Sequence, residues 1–327
     1  MKNLVASFSK QLRESVEIAK KAKLSPSANK ITNVLVCGLG GSGIGGNIVS
    51  ELVALEATVP FNVTKGYFIP AYVNEHSLVI ISSYSGNTEE TLQCFELALK
   101  KKAKIVCVSS GGKVAEIAKA NNLDLILVPG GMPPRACIAY SLVQLIHILN
   151  FNGLTAKPNM GEIEDAIKLI DEEEQNIRLE AAAVSAALVG RLPVIYATTY
   201  FEGIAIRFRQ QLNENSKILC WHHVIPEMNH NELVGWREKN ETISVILFRD
   251  KNEYERNNVR IEINKSVISK YTPHITEIWS KGKSMIEKAL YFIHLGDWIS
   301  VDLAEKRGYD ATEINVINDL KSELSKF

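Results

Sequence analysis

The apolar positions of this chain come in short, dense runs. ITNVLVCG, LVIISSYS, AKIVCVSS and LDLILVPGG are near-continuous stretches of Val, Ile and Leu. Between them lie segments with helical spacing: IGGNIVSELVAL, TEETLQCFELALKKK, KVAEIAKANN and RACIAYSLVQLIHILN. PFNVTKG adds a short strand. A strand buried on one face alternates apolar and polar residues, whereas one covered on both faces reads as an unbroken apolar run. The runs here are of the second kind. Their alternation with helices predicts an α/β fold built on a mainly parallel, doubly wound sheet. An amphipathic pattern, MKNLVASFSKQLRESVEIAKKAK, precedes them and breaks at LSPSANK.

Gly and Pro then concentrate between Gly153 and Gly161. A long charged helix follows, GEIEDAIKLIDEEEQNIRLEAAAVSAALVG, and the alternation resumes. LPVIYATT, a helix from about Tyr200 to Asn213, KILCWHHV, a helix near Asn229 to Trp236, and ISVILFRD continue it. Two helical patterns, SMIEKALYFIHLGDWISVDLAEKRG and EINVINDLKSEL, close the chain. Both halves share one grammar without residue-level repetition. Two domains of the same class are expected, 1–153 and 154–327.

At 327 residues and 46% hydrophobic content the chain can build ordinary cores. Lys and Arg number 37 against 37 Asp and Glu, so no nucleic-acid footprint is expected. Cys37, Cys94, Cys107, Cys137 and Cys220 show no CxxC and no His at metal spacing, so buried free thiols in a reducing compartment are expected. The N-terminal pattern lacks the apolar core of a signal peptide, and no apolar run is long enough to span a membrane. A cytoplasmic, soluble protein is expected.

Two turns carry the candidate chemistry. VLVCGLGGSGIGG matches GxGxxG at Gly38, Gly40 and Gly43, the pattern of a dinucleotide turn. Such a fold also places an acid at the end of the next strand, and here PFNVT ends at Thr64 and Lys65. A nicotinamide cofactor is therefore disfavoured. The six glycines between Gly38 and Gly46 exceed the need of a turn, and close backbone approach to a ligand explains them better than a tight turn alone. The second turn, SSYSGNT, places Ser83, Ser85 and Thr88 where a helix begins. A helix start has unpaired N–H groups and partial positive charge, and short hydroxyls add donors. One hydroxyl would suffice as a cap, so the excess points to an anion site. No GK[ST] is present, which leaves a monophosphate held between Gly41-Ser42 and Ser83, Ser85 and Thr88.

GLGGSGIGG, SYSGNTEET, GGMPPRA, QLNENSK and PEMNHNELVGW occur in that order from Gly38 to Trp236. The set resembles the bifunctional phosphoglucose/phosphomannose isomerase family of the sugar isomerase (SIS) superfamily. The resemblance implies two SIS-type αβα sandwich subdomains and a homodimer with its active sites at the subunit interface. It implies interconversion of glucose 6-phosphate and mannose 6-phosphate with fructose 6-phosphate through a cis-enediol, with no metal and no cofactor.

By the same resemblance Glu214 is the base; read alone it could be a solvated helix-end glutamate beside Lys217. His230, between Asn229 and Asn231, matches a histidine that helps open the sugar ring from the neighbouring subunit; read alone it could be a helix cap or a core histidine. Arg135, after Pro133-Pro134, matches an arginine that polarises the enediolate; read alone it could be a surface arginine. Lys321 matches a ring-opening lysine of the last helix. The proline that the family has in that region is replaced by Thr312-Glu313, so Lys326 is the alternative. His222 and His223 match no motif and are expected in packing or surface roles. A non-catalytic sugar-phosphate sensor is the other reading of an SIS chain, although no basic recognition helix accompanies it; a nicotinamide-dependent dehydrogenase is the third.

Overall fold

A computed structural model describes residues 1–155 and 159–326. The Gly- and Pro-rich break expected near Gly153–Gly161 falls partly on residues 156–158, outside the described residues. The chain packs as two compact units. One comprises Ala6–Glu172 and Gly282–Leu290; the other comprises Met1–Val5, Glu173–Lys281 and the chain from Tyr291 onward. The division lies within a helix and not at 153/154. That helix keeps its apolar spacing through the division, with Ile163, Ile167 and Ile170 buried before it and Ile177, Ala181 and Val184 after it.

In chain order the elements of the first part are α1 (Lys2–Ala6), α2 (Phe8–Lys21), β1 (Asn33–Cys37), α3 (Gly40–Leu52), β2 (Phe61–Thr64), β3 (Ser77–Ser82), α4 (Glu89–Lys100), β4 (Lys104–Ser109), α5 (Gly112–Ala120), β5 (Asp124–Leu127), α6 (Ile138–Phe151) and α7 (Met160–Leu188). Their strands form one parallel sheet in the order β2-β1-β3-β4-β5. Every residue of β1 and β3 is buried, as unbroken apolar runs require of central strands, while β2 lies at the edge and is half-covered. Leu35, Cys37, Val79, Ile81, Phe95 and Cys107 share one core. Cys37, Cys94, Cys107 and Cys137 are buried free thiols and Cys220 is half-buried.

The remaining elements are β6 (Leu192–Thr198), α8 (Glu202–Glu214), β7 (Trp221–Ile225), β8 (Ile243–Arg249), α9 (Glu255–Ile268), β9 (Ile275–Trp279), α10 (Met285–Lys306) and α11 (Asn315–Leu324). Their sheet is also parallel, in the order β7-β6-β8-β9. Phe248 packs edge-on against Phe208 and Phe292, at centroid distances of 5.6 and 4.8 Å. Arg207 of α8 donates twice to Asp297 of α10, at 2.9 and 2.7 Å, and Gln211 donates to the same carboxylate at 2.7 Å. All three side chains are buried, so α8 is pinned to α10 by a buried polar cluster.

Candidate active site

In the first sheet the chain order reverses between β1 and β3, which are hydrogen-bonded neighbours. The crevice beyond the carboxyl ends of such a strand pair is where open α/β sheets hold ligands. The two turns singled out in the sequence leave from those two ends. After β1, α3 begins directly at Gly40, so Gly40-Gly41-Ser42 is itself a helical first turn. After β3, Ser83 to Thr88 lead into α4, whose first residue is Glu89.

The hydroxyls of the second turn organise its backbone. Ser42 Oγ accepts from Tyr84 N at 3.2 Å, Ser83 Oγ from Gly86 N at 3.2 Å, and Ser85 Oγ from Asn87 N at 3.3 Å. Ser83 and Thr88 hydroxyls pair at 3.1 Å. Thr88 stands at the N-cap of α4, yet its side chain makes no cap hydrogen bond. The Ser42 and Ser85 hydroxyls, which accept from the backbone, keep their own hydrogens to donate, while the Ser83–Thr88 pair uses one of its two. The turn is braced from β4: Ser110 N and Oγ donate to Tyr84 O at 3.0 and 2.6 Å, and Val114 N donates to Gly86 O at 3.0 Å. Gly86 has φ +70°, and a Cβ there would lie 1.9 Å from Gly111 O, so no side chain fits. Tyr84 Oη accepts from Met132 N at 3.2 Å, which ties the turn to the loop ahead of Arg135. Burial pushes the Tyr84 hydroxyl well above its ordinary pKa.

The glycines of the first turn have a different role from the one expected. A Cβ at Gly43 would stand 2.3 Å from Gly38 O, at Gly41 2.9 Å from Pro134 O, and at Gly46 3.1 Å from Val36 and Val63 side chains. Close approach is required, but by the protein's own backbone and core. Gly40 alone of the first three is open, with φ +53°. Gly41 thus lies against the Pro134–Ala136 3-10 turn that carries Arg135. That turn precedes α6, so Arg135 is not on the long helix itself. Arg135 is 4% exposed, which separates it from an ordinary surface arginine. Gly41, Ser42, Ser83, Ser85, Thr88 and the Arg135 turn therefore belong to one edge of one unit.

Glu214, His230 and Lys321 lie in the other unit, on three separate elements. Glu214 is the last residue of α8 and is half-buried. Its neighbours Asn215 and Ser216 are fully buried; Asn215 donates to Ser300 Oγ at 2.9 Å, and Ser216 Oγ donates to Ser300 O at 2.6 Å. Asn213 donates to Ile218 O at 2.7 Å. A glutamate framed by anchored amides differs from a freely solvated helix-end residue.

His230 is exposed and ends a 3-10 turn, Glu227–His230; a second one, Glu232–Gly235, follows. The helix expected near Asn229 to Trp236 does not form. Asn231 leaves helical geometry, with φ −143° and ψ −66°, and its side chain accepts from Glu232 N, restarting the chain. His223 has a part that its sequence gave no sign of. Its Nδ1 accepts from Val224 N at 2.8 Å, so Nε2 carries the hydrogen and donates to Asn231 Oδ1 at 3.1 Å. Glu232 accepts from Tyr196 Oη and from Trp221 Nε1, fastening the far side of the loop. His222 is half-buried in β7; burial, then Arg209 and His223, push its pKa down to about 4, so it is neutral near pH 7. Lys321 is exposed on α11, a helix without a buried residue, and Lys326 is exposed beyond its end.

Among the described residues no group of three or more His, Cys, Asp or Glu could hold a metal ion, and no helix is long and apolar enough to cross a membrane. β2 ends at Thr64, followed by Lys65.

The two parallel sheets, each with helices packed around it, define an SIS-type α/β fold. The C-terminal domain of glucosamine-fructose-6-phosphate aminotransferase from Francisella tularensis has the same fold, with a TM-score of 0.77, 13% identity, and coverage of 95% of this chain and 97% of that one. Residues 178–324 match the family model of the bacterial phospho-glucose isomerase C-terminal SIS domain. The bifunctional phosphoglucose/phosphomannose isomerase of Caldicellulosiruptor bescii is 34% identical over 98% of both chains. That of Aquifex aeolicus is 34% identical over 90% of both. The chain belongs to the bifunctional phosphoglucose/phosphomannose isomerase family.

Proposed function

We propose that this chain interconverts glucose 6-phosphate and mannose 6-phosphate with fructose 6-phosphate. Its membership of the family supports a sugar-phosphate isomerase, and the hydroxyl cradle of Ser42, Ser83, Ser85 and Thr88 carries the reading. In this reading the 6-phosphate accepts from those hydroxyls and from the Gly41-Ser42 helix start, without a lysine. Glu214 moves the proton between C2 and C1 through a cis-enediol, Arg135 stabilises the developing oxyanion, and His230 and Lys321 open the ring. The unit that holds Ala6–Glu172 supplies phosphate binding and Arg135, and the unit that holds Glu173–Lys281 and the chain from Tyr291 onward supplies the base, the histidine and the lysine. The active unit is a cytoplasmic homodimer with the site at the subunit interface, and the reaction uses neither metal nor cofactor.

The test is Ser85→Ala with Thr88→Ala, followed by a coupled assay of fructose 6-phosphate formation from both aldoses. Thr88 makes no cap hydrogen bond. Its loss therefore costs stability no more than an ordinary cap substitution, about 1 kcal/mol or less. The Michaelis constants for both aldoses should rise at least about 10-fold, since hydrogen bonds to charged groups contribute about 1.5–3 kcal/mol each. A fall in thermal stability with unchanged Michaelis constants would make the turn structural.

A further inference from the structure

Lys217 follows the buried Asn215-Ser216 pair and has φ +53°, a left-handed backbone that lysine rarely adopts. A left-handed residue here ends α8, as Lys102 and Asn122 do after α4 and α5. What sets Lys217 apart is its ammonium. Lys217 Nζ donates to the backbone carbonyl of Glu214 at 2.5 Å and to that of Glu313 at 2.7 Å. The first carbonyl belongs to the last turn of α8, where carbonyls lack intrahelical donors and a cation is favoured. The second lies two residues before α11. From a third side Arg307 donates to the Lys217 carbonyl at 3.4 Å.

The contact at Glu313 matters because it lies at the base of α11, a helix that buries none of its own residues. Val316 and Leu320 are 82% and 59% exposed. Burial ends upstream at Ala311. The helix therefore departs from a short root, residues 311–314, and Lys217 holds that root by a backbone atom.

We propose that Lys217 is a positioning residue, which keeps the Glu214 turn and the root of the Lys321 helix in one fixed relation. It acts through two backbone carbonyls and touches no reacting atom. This rests on the reading of Glu214 and Lys321 as groups of the reaction. A long cationic side chain suits both tasks: a shorter one would not span from the turn to Glu313, and an acid would repel both carbonyls.

The test compares Lys217→Asn and Lys217→Arg in the full chain. Asparagine accepts the left-handed backbone more readily than lysine, so the turn is retained while the ammonium is lost. Lys217→Asn should lower kcat with glucose 6-phosphate about 10-fold, the scale of a slightly misplaced catalytic group. KM should stay within about twofold, because the phosphate cradle is untouched. Backbone amides of residues 313–324 should exchange hydrogen faster, with thermal stability unchanged. Lys217→Arg, which can still donate to carbonyls, should restore part of kcat. Wild-type kcat, or wild-type exchange across 313–324, in Lys217→Asn would overturn the proposal. Lower stability and kcat together with a higher KM would also overturn it, since that is the mark of a structural role. Glu214→Gln and Lys321→Met serve as controls. If they leave kcat intact, the underlying functional reading has failed; if they lower kcat and Lys217→Asn does not, only the positioning role has.

Discussion

Glu214→Gln is expected to abolish the conversion of glucose 6-phosphate and of mannose 6-phosphate together. The amide keeps the shape of the side chain and cannot take the C2 proton, and a positioned base contributes about 10²- to 10⁴-fold. The neighbours that hold the residue are backbone and amide contacts that the change leaves in place: Asn215 and Ser216 on Ser300, and Asn213 on Ile218. Affinity for the sugar phosphate should therefore persist while kcat falls. The readout is exchange of the C2 hydrogen with solvent, followed by NMR. Exchange at the wild-type rate would remove Glu214 from the reaction.

The largest effect on stability is expected at Asp297→Ala. Arg207 is 3% exposed, and its guanidinium meets Asp297 twice, so the substitution strands a buried cation. Removing one partner of a buried pair costs about 3–5 kcal/mol. That is a large share of the roughly 5–15 kcal/mol by which folded domains are stable. Gln211 loses its acceptor at the same time. Replacing Arg207 and Asp297 together with leucine should recover much of the loss, because no unpaired charge remains. Urea unfolding of both variants decides it. A loss below about 1 kcal/mol in Asp297→Ala would mean that Arg207 finds another partner or water.

Much of the first sheet is legible in the chain. Residues such as Val34–Cys37 and Leu78–Ile81 are wholly buried, and unbroken Val and Ile runs signal that burial directly. The serine turn is marked in the chain by hydroxyls in excess of the need of a helix cap; in the fold Thr88 makes no cap bond, and Ser42, Ser83 and Ser85 accept from the backbone of the turn. The glycine turn was legible as close approach, but not as to whom: Gly41 faces Pro134, a neighbour brought in from far along the chain. The boundary at 153/154 followed local composition, whereas packing follows the apolar stripe of α7 through Glu172. Local spacing also favoured a helix across Asn229–Trp236. The side chain of Asn231 interrupts it, held in turn by His223 across the strand end. The part of Lys217 was not legible beside Glu214, since its second partner, Glu313, lies 96 residues away.

The central claim is that one site serves two aldoses. Glucose 6-phosphate and mannose 6-phosphate differ only at C2 and give the same cis-enediol. The proposed site grips the phosphate and leaves the C1–C3 end room to turn, and a site without a dedicated hydrogen bond to the C2 hydroxyl cannot strongly reject either epimer. The direct measurement is fructose 6-phosphate formation with both aldoses present at saturating concentration. One site requires each aldose to inhibit the other competitively, with an inhibition constant equal to its own Michaelis constant, and a mixed rate between the two separate rates. A mixed rate equal to their sum would show two independent sites and contradict the account.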